Sequence, residues 1–318
     1  MLWYDILGLV VGILVGIAAL VLLIALLCFL KVFYQPKRKK LKDGEFRFPP
    51  GKVYEPYHEK MQAWMQSLRT MPHEELSVTS FDGLTLRGKY YEYAPDSPVE
   101  LLFHGYQGCA ERDLSAAVER CAALGRSAVL IDQRGSGESD GHVVTFGIKE
   151  RWDCLTWIDF ATQKFGKERK LMIGGVSMGG ATVLLASGEN LPDNVKCVMS
   201  DCGYSSAKEI IKKVVREMRL PVGVVYPFIK LGAKIFGRFN LDETTPLEAV
   251  KNSRTPIILL HGDADDYVPF QMSADVYEAC PGKRKLVTIE GAGHGLAYPK
   301  NPQKYVEGLR QFQEECGF

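Results

Sequence analysis

The chain has 318 residues with a formal net charge of +1, and 46% of its residues are hydrophobic and 24% charged. These values describe a folded protein with a large apolar core, and they exclude a disordered chain and a nucleic-acid-binding protein. The charge is uneven: residues 1–30 contain one charged side chain, residues 31–42 carry six basic residues and no acid, and the rest hold 33 basic and 37 acidic side chains.

Residues 6–30 contain no charged side chain and are dominated by Leu, Val, Ile, Gly and Ala. As a helix this segment extends about 37 Å, which is enough to cross a hydrocarbon core of about 30 Å. Aromatic residues flank both ends, as is typical at membrane interfaces. A cleaved signal peptide is the alternative, but the basic start and small-residue cleavage site of such peptides are missing. We therefore predict an uncleaved transmembrane anchor over residues 6–30.

The charge that follows the anchor predicts its orientation. The cluster Lys37-Arg38-Lys39-Lys40 comes soon after the apolar segment, and basic residues concentrate on the cytoplasmic side of membrane spans. The seven cysteines beyond the anchor have no paired spacing, which favours free thiols in a reducing compartment. The body of the protein is therefore predicted on the cytoplasmic side of the membrane.

Within the anchor, Gly8, Gly12 and Gly16 recur every four residues. Small residues at this spacing allow two membrane helices to approach closely, which predicts a weak homodimer. Glycine is also common in membrane helices that do not dimerise, so both interpretations stay open.

Residues 31–73 are predicted to form a basic juxtamembrane linker followed by a helix. Between residues 56 and 69, apolar side chains recur at helical spacing, namely Met61, Trp64, Met65 and Leu68. We interpret this stretch as a helix that packs on the body of the protein rather than as a ligand site.

Residues 74–318 have the pattern of an α/β domain. Two extended stretches joined by an Asp82-Gly83 turn come first. Short apolar runs then alternate with longer helical stretches, and the runs are 100–103, 128–131, 171–174, 197–200, 256–260 and 285–289. Such runs are typical of buried parallel strands. We predict a mostly parallel central sheet flanked by helices, with functional residues at the carboxyl ends of its strands.

The run 171–174 leads into Gly175-x-Ser177-x-Gly179 and then into an Ala- and Leu-rich helix. This motif between a strand and a helix is typical of a nucleophile elbow, a turn so sharp that side chains at the flanking positions would collide. The serine then stands at a helix N-terminus, where the helix dipole favours an oxyanion. Ser177 is the predicted nucleophile, and a purely structural turn is the alternative.

A serine nucleophile needs a base, and the base needs an acid that orients it. In an elbow fold the chain order is serine, acid, histidine. His294, in a glycine-flanked loop after the last predicted strand, is the candidate base, whereas His261 lies in a His-Gly turn and is interpreted as structural. Four aspartates at strand ends are candidate acids, namely Asp263, Asp265, Asp266 and their rival Asp201.

Two backbone amides must hold the oxyanion. One is predicted to be the amide of Met178, the residue after the nucleophile, and the other the amide of Tyr106 in the glycine-rich loop 103–108. An ordinary glycine-rich strand end is the alternative interpretation of this loop.

Together these motifs resemble the α/β-hydrolase superfamily, and more closely its membrane-anchored bacterial serine hydrolases of the S33-type serine aminopeptidase or acyl-lipid hydrolase kind. The resemblance covers about residues 75–316 and rests on the elbow and four more motifs: His104-Gly105-Tyr106-Gln107-Gly108, Asp132-x-Arg134-Gly135-x-Gly137-x-Ser139, His261-Gly262-x-x-Asp265-x-x-Val268-Pro269 and Gly293-His294. In the family, the aspartate of the third motif is the triad acid, which implies Asp265 here, with Asp201 as its rival. The 132–139 turn is interpreted as structural, with Arg134 paired to acidic neighbours.

More than fifty residues separate the strand near Asp201 from the next one, and the family often inserts a cap over the serine at this point. We place a cap insertion at about 203–250. Residues 207–240 carry eight basic and two acidic side chains and an apolar stripe, formed by Ile210, Ile211, Val214, Val215 and Met218. Two interpretations are open: the stripe packs over the site as a cap helix, or a basic lid rests on the bilayer.

The sequence therefore predicts a membrane-anchored serine hydrolase that cleaves a carboxylic ester or related acyl substrate, with no cofactor and no metal. Its predicted partners are a small-molecule or lipid acyl substrate and the bilayer, with no nucleic acid. An S33-type serine peptidase is the second enzymatic interpretation, although no acidic cluster is assignable to a peptide N-terminus. A membrane-tethered, non-catalytic α/β-hydrolase-fold binding protein is the alternative from another class, and it would not need the complete set Ser177, Asp265 and His294.

Overall fold

Eight strands form one sheet in the order β1-β2-β4-β3-β5-β6-β7-β8. This computed structural model describes residues 3–37, 41–42 and 44–318, so Arg38, Lys39 and Lys40 of the predicted basic cluster lie outside the described residues. The strands are β1 (Glu74–Thr79), β2 (Thr85–Tyr91), β3 (Val99–Phe103), β4 (Ser127–Asp132), β5 (Leu171–Val176), β6 (Val195–Asp201), β7 (Ile257–Gly262) and β8 (Arg284–Ile289).

The sheet is antiparallel at one edge and parallel elsewhere. Strand β2 pairs antiparallel with both β1 and β4, whereas the strands from β4 through β3, β5, β6 and β7 to β8 are all parallel to one another. The parallel strands are apolar on both sides because helices cover both faces of the sheet. The predicted mostly parallel sheet is confirmed, and each predicted apolar run falls on one of its strands.

Helices connect the strands and cover the sheet: α1 (Trp3–Val32), α2 (His58–Thr70), α3 (Ala110–Ala123), α4 (Glu150–Phe165), α5 (Met178–Ser187), α6 (Ala207–Glu217), α7 (Val222–Ile235), α8 (Pro246–Ala249), α9 (Phe270–Ala279), α10 (Ala297–Lys300) and α11 (Pro302–Glu315). Helices α2, α3 and α11 pack on one face of the sheet, and α4, α5 and α9 on the other. The four apolar residues that predicted α2 as a packing helix are all buried.

Helix α1 is exposed along most of its length, but its last turns pack against the insertion between β6 and β7. Ala25 and Phe29 are buried against helix α7, and the following Phe33 is buried against the rings of Phe146 and Phe239. The two helices approach so closely at Gly232 that a Cβ atom there would lie 2.5 Å from the carbonyl oxygen of Ala25. An apolar end of α1 and a glycine on α7 therefore join the N-terminal helix to the body of the protein.

The apolar stripe predicted on residues 207–240 is only partly buried. The Ser206 hydroxyl caps helix α6 by accepting a hydrogen bond from the Glu209 amide, and the stripe residues Ile210, Ile211 and Val215 are buried. The predicted stripe ends early, because α6 stops at Glu217 and the next residue, Met218, is 52% exposed.

The turn after β4 has the structural role that its motif predicts. Arg134 is buried and forms ion pairs with Asp82, at 2.9 Å, and with Asp153, at 2.6 Å. These pairs join the β1–β2 turn and helix α4 to the end of strand β4. The Arg134 guanidinium has two carboxylate partners here, which compensates its burial.

Candidate active site

Strand β5 ends in a strained turn that carries Ser177. The backbone of Ser177 has φ 55° and ψ −114°, and helix α5 begins at the next residue. A Cβ atom at Gly175 would overlap the backbone of Gly179, and one at Gly179 would overlap the carbonyl oxygen of Phe103. A positive φ on a serine between two obligatory glycines is the geometry of a nucleophile elbow, and its cost of about 1–3 kcal/mol is sustained by the surrounding packing.

Ser177, His294 and Asp265 lie in one hydrogen-bonded line, although they come from three different loops. The Nε2 atom of His294 is 2.9 Å from the Ser177 hydroxyl, and its Nδ1 atom is 2.7 Å from Oδ2 of Asp265. Because the carboxylate accepts a hydrogen bond from the N–H group at Nδ1, the Nε2 atom carries no proton and is free to accept the serine proton. The arrangement allows general-base activation of the Ser177 hydroxyl.

The Asp265 carboxylate is buried and receives four hydrogen bonds. Its Oδ1 atom accepts the amides of Tyr267 and Val268 at 2.9 and 2.8 Å, and its Oδ2 atom faces His294 and, at 3.1 Å, His261. Burial opposes ionisation of this carboxyl, but the hydrogen bonds from His261 and His294 outweigh it and hold its pKa well below the ordinary value. Asp265 is therefore a charged acceptor at neutral pH, as the orienting acid of a triad must be.

His261 is a second partner of Asp265 that sequence reasoning placed only as a structural residue. Its Nε2 atom faces Oδ2 of Asp265 and the carbonyl oxygen of Val268, at 3.1 and 2.9 Å. Both neighbours are acceptors, so Nε2 carries the proton, and Nδ1 accepts a hydrogen bond from the Ser273 hydroxyl at 2.7 Å. The four-residue spacing between His261 and Asp265 was the available signal, but it does not show which way the ring points.

The rival acids lie elsewhere. Asp201 is buried and accepts a hydrogen bond from the Tyr305 hydroxyl at 2.9 Å, and burial raises the pKa of its carboxyl. Asp263 accepts the amide of Gly291 at 2.6 Å, which ties the β7 and β8 loops together. Within the described part of the chain, no hydrogen bond joins Asp201, Asp263 or Asp266 to His294.

The two candidate oxyanion donors flank the serine. Met178 is the first residue of α5, so its amide has no carbonyl partner within the helix. Tyr106 lines the same cavity as Ser177, and no hydrogen bond from its amide is found among the residues that the structure describes. The side chain of Tyr106 points to helix α1, where its hydroxyl donates to the carbonyl oxygen of Val32 at 2.8 Å.

A cavity of about 870 Å³ opens over Ser177 and His294. One side consists of the loops after β3, β5, β7 and β8, and the other of residues that follow α1, from Pro36 to Met61. No residue of the insertion 203–250 lines this cavity in the described structure, which differs from the expectation of a cap over the serine. Helix α7 packs on the end of α1, and α6 and α7 bury their apolar faces in one cluster with Phe29, Met178 and Val268.

One group of side chains has the composition of a metal site. Ligand atoms of Cys202, Asp265 and His294 lie within 4.8 Å of one another. Burial raises the pKa of the Cys202 thiol well above its ordinary value, and a protonated thiol is a poor ligand. Both ring nitrogens of His294 also already face Ser177 and Asp265. The geometry therefore fits a proton relay better than a metal site.

Known proteins share both the sequence pattern and the fold. A sequence model of the prolyl oligopeptidase family matches residues 113–317, which include Ser177, Asp265 and His294. The uncharacterized protein YqkD of Bacillus subtilis is 27% identical over 250 residues, which cover 78% of this chain and 81% of that protein. The thiohydrolase aneE of Aspergillus aculeatus is 24% identical, over 70% of this chain and 86% of that protein.

The fold also matches a solved structure, the esterase Pf2001 of Pyrococcus furiosus. It superimposes with a TM-score of 0.64 at 18% identity, covering 88% of this chain and 98% of the esterase. At this identity the likeness shows the fold. The α/β-hydrolase fold expected from the motifs is thereby confirmed.

Proposed function

The chain is a serine hydrolase that belongs to the prolyl oligopeptidase family, and on this premise we propose that it cleaves a carboxylic ester through Ser177, His294 and Asp265. The observation that carries the proposal is the continuous line of hydrogen bonds from the Ser177 hydroxyl through His294 to Asp265. Ser177 also stands at the N-terminus of α5, which favours negative charge on a nearby oxygen.

The reaction proceeds in two stages. The Ser177 Oγ atom attacks the acyl carbonyl while its proton passes to Nε2 of His294, and the amides of Met178 and Tyr106 bind the oxyanion. The tetrahedral intermediate expels the alcohol, which takes the proton from His294 and leaves an acyl-serine. Water then gives a proton to His294 and attacks the acyl-serine, which releases the carboxylic acid and restores the Ser177 hydroxyl.

The charges in the cavity favour an ester over a peptide with a free N-terminus. The lining carboxylate Asp113 is already paired with Arg112 at 2.5 Å, so it is not available to bind an ammonium group. A serine peptidase is the second candidate because of the family to which the chain belongs. A thioester is a third acyl substrate with the same chemistry, and a thiohydrolase is among the similar proteins.

We further propose that α1 anchors the enzyme in a membrane. Among the described residues it is the one helix long and apolar enough to cross a bilayer. Its first 22 residues, 3–24, precede the buried Ala25 and extend about 33 Å. The burial of Phe29 and Phe33 supports an uncleaved helix, since cleavage in front of the body would remove both from the core formed with α7.

The orientation proposed for the body is cytoplasmic, from the basic residues after α1. A membrane-impermeant protease added to intact cells should spare the body and digest it once the cells are opened. Rapid digestion in intact cells would place the body on the other side of the membrane.

A fluorophosphonate probe tests the enzymatic proposal. The full-length protein should be labelled, Ser177→Ala should not, and Ser67→Ala, which removes an exposed hydroxyl on α2, should be labelled like the wild type. The wild-type protein without the probe should hydrolyse p-nitrophenyl esters, with kcat reduced on the order of 10⁶-fold in Ser177→Ala, and labelling should abolish this activity. Absence of labelling in the intact protein would favour a non-catalytic binding protein, and faster cleavage of aminoacyl anilides than of esters would favour a peptidase.

A further inference from the structure

The residues that follow helix α1 form one wall of the cavity over Ser177. Pro36, Lys37, Arg47 and Phe48 all line it, opposite the loops that carry Ser177 and His294. The hydrogen bond from the Tyr106 hydroxyl to the last turn of α1 joins this wall to the loop beside the serine. A segment that the sequence predicts as a linker is therefore part of the substrate site.

This wall leaves two positive charges facing the cavity. Four of the lining residues have permanently charged side chains: Lys37, Arg47, Arg112 and Asp113. Arg112 and Asp113 neutralise each other. The Lys37 ammonium donates to the carbonyl oxygen of Ser139, and after the hydrogen bonds with Thr85 its charge contributes to the lowered pKa of the exposed Asp140 carboxyl, with which it forms no ion pair in the described structure.

Arg47 has no partner at all within the part of the chain that the structure describes. It is half-buried, and neither a hydrogen bond nor an ion pair is found for its guanidinium. Its nitrogen atoms keep contact with solvent, so they are open to a ligand that enters the cavity. Such a group is suited to receive an anion, and its planar fork of donors matches a phosphate in particular.

The same two residues also line a neighbouring cavity of about 710 Å³, whose charged lining consists of six basic residues and four acidic ones, Glu75, Glu111, Asp132 and Glu138. Lys37 and Arg47 therefore stand between the space over Ser177 and a second space of mixed charge. An anionic group bound by both residues lies between Ser177 and the second cavity. The second cavity has room for a polar part of the substrate that extends beyond the anionic group.

We propose that the cavity selects acyl esters that carry a phosphate, and that Arg47 and Lys37 bind this phosphate while the ester carbonyl lies at Ser177. The inference rests on the proposed esterase activity at Ser177 and adds its substrate class. The aromatic and apolar residues of the same cavity, Phe48, Tyr54, Met61 and Val176, accommodate the acyl chain. The substrate is thus an amphiphile with one acyl chain and one anionic group.

The test compares two substrates that differ only in the phosphate: a short-chain 1-monoacylglycerol and the corresponding 1-acylglycerol 3-phosphate, both below their aggregation concentrations. The measured quantity is the ratio of kcat/KM for the phosphorylated over the neutral ester. The wild type should prefer the phosphorylated ester, and Arg47→Ala should lower the ratio about tenfold, mainly through KM of the phosphorylated ester, as expected for loss of one charge-assisted hydrogen-bonded contact. The preference should also fall as salt is added.

Two further variants separate recognition from misfolding. Arg47→Lys keeps the charge and should retain most of the preference, whereas Lys52→Ala removes an exposed cation outside the cavity and should leave both rates at wild-type values. If Arg47→Ala leaves the ratio unchanged while Ser177-dependent ester cleavage persists, the inference is wrong and the proposed function stands. If neither ester is cleaved in a Ser177-dependent manner, the proposed function itself fails.

A parallel measurement with the same esters diluted into neutral and anionic vesicles distinguishes the source of the anion. A preference that depends on Arg47 for monomeric esters locates the phosphate in the cavity. A preference seen only on vesicles, and equally in Arg47→Ala, would assign the effect to the membrane surface and would overturn the inference.

Discussion

The two walls of the cavity over Ser177 are built in different ways. The wall that carries the triad consists of short loops at the ends of β3, β5, β7 and β8, each continuous with a buried strand. The opposite wall runs from Pro36 to Met61, and its first part, residues 36–50, contains no helix or strand among its described residues. This part contacts the body through the hydrogen bonds Lys37–Ser139 and Arg69–Glu45 and through the stacking of Phe48 on His58. The sheet thus positions Ser177, Asp265 and His294, whereas the opposite wall depends on the end of α1 and on α2.

The largest expected effect distinguishes two buried aspartates, Asp265 in the loop after β7 and Asp201 at the end of β6. Asp265→Asn should lower kcat on the order of 10⁴-fold, because an amide at this position stabilises the wrong tautomer of His294. Asp201→Asn, the matched control, changes a carboxyl whose partner is Tyr305 and should retain most activity. Steady-state kinetics on one p-nitrophenyl ester measures kcat of both variants. Equal losses of kcat in the two variants would contradict the assignment of Asp265 as the acid that orients His294.

A smaller effect tests whether the second wall is truly joined to the body. Phe33→Ala removes a fully buried ring at the end of α1 and should lower the free energy of unfolding by about 3–5 kcal/mol. Leu14→Ala, on the exposed part of the same helix, should change it by less than about 1 kcal/mol. Thermal unfolding in a matched detergent gives both values. If Phe33→Ala is as harmless as Leu14→Ala, the end of α1 does not pack on the body of the protein.

The smallest expected effect is a pH dependence that belongs to the triad wall alone. The pKa of Asp265 is lower in the folded protein than its ordinary value of about 3.9, so its stabilising contribution is complete above that value. This contribution to stability is lost as the pH falls through the pKa that Asp265 has in the folded protein. The difference in unfolding free energy between the wild type and Asp265→Asn should therefore narrow between about pH 5 and pH 2. A difference that widens on acidification would contradict this sign.

Ser177, Asp265 and His294 show which parts of the candidate site can be predicted from the sequence. The elbow is recognisable because its strand, serine, glycines and helix are contiguous, so steric requirements within a few residues appear directly in the sequence. The order of the acid and the base follows from the alternation of strands and helices, since parallel strands present their carboxyl ends at one edge. The contact of His261 with Asp265 is also local in sequence, but the orientation of the ring depends on Ser273 and Val268.

The insertion at 203–250 shows what the sequence does not predict. An apolar stripe predicts that a helix packs on something, but it does not identify the partner. Here α7 packs against the last turns of α1, and the close approach at Gly232 joins residues about two hundred positions apart in the chain. Only the folded chain shows that α7, a helix of the insertion, packs on α1. Only the folded chain also shows that residues after α1 line the cavity over Ser177.

By itself, the sequence determined the apolar N-terminal helix, the parallel sheet and the candidates Ser177, Asp265 and His294, because each depends on the local period of apolar residues or on turns a few residues long. The tertiary structure decided that Asp265 rather than Asp201 faces His294, and that Lys37 and Arg47 face the cavity. These choices depend on distances between residues far apart in the chain. Packing sets such distances, and no local pattern records them.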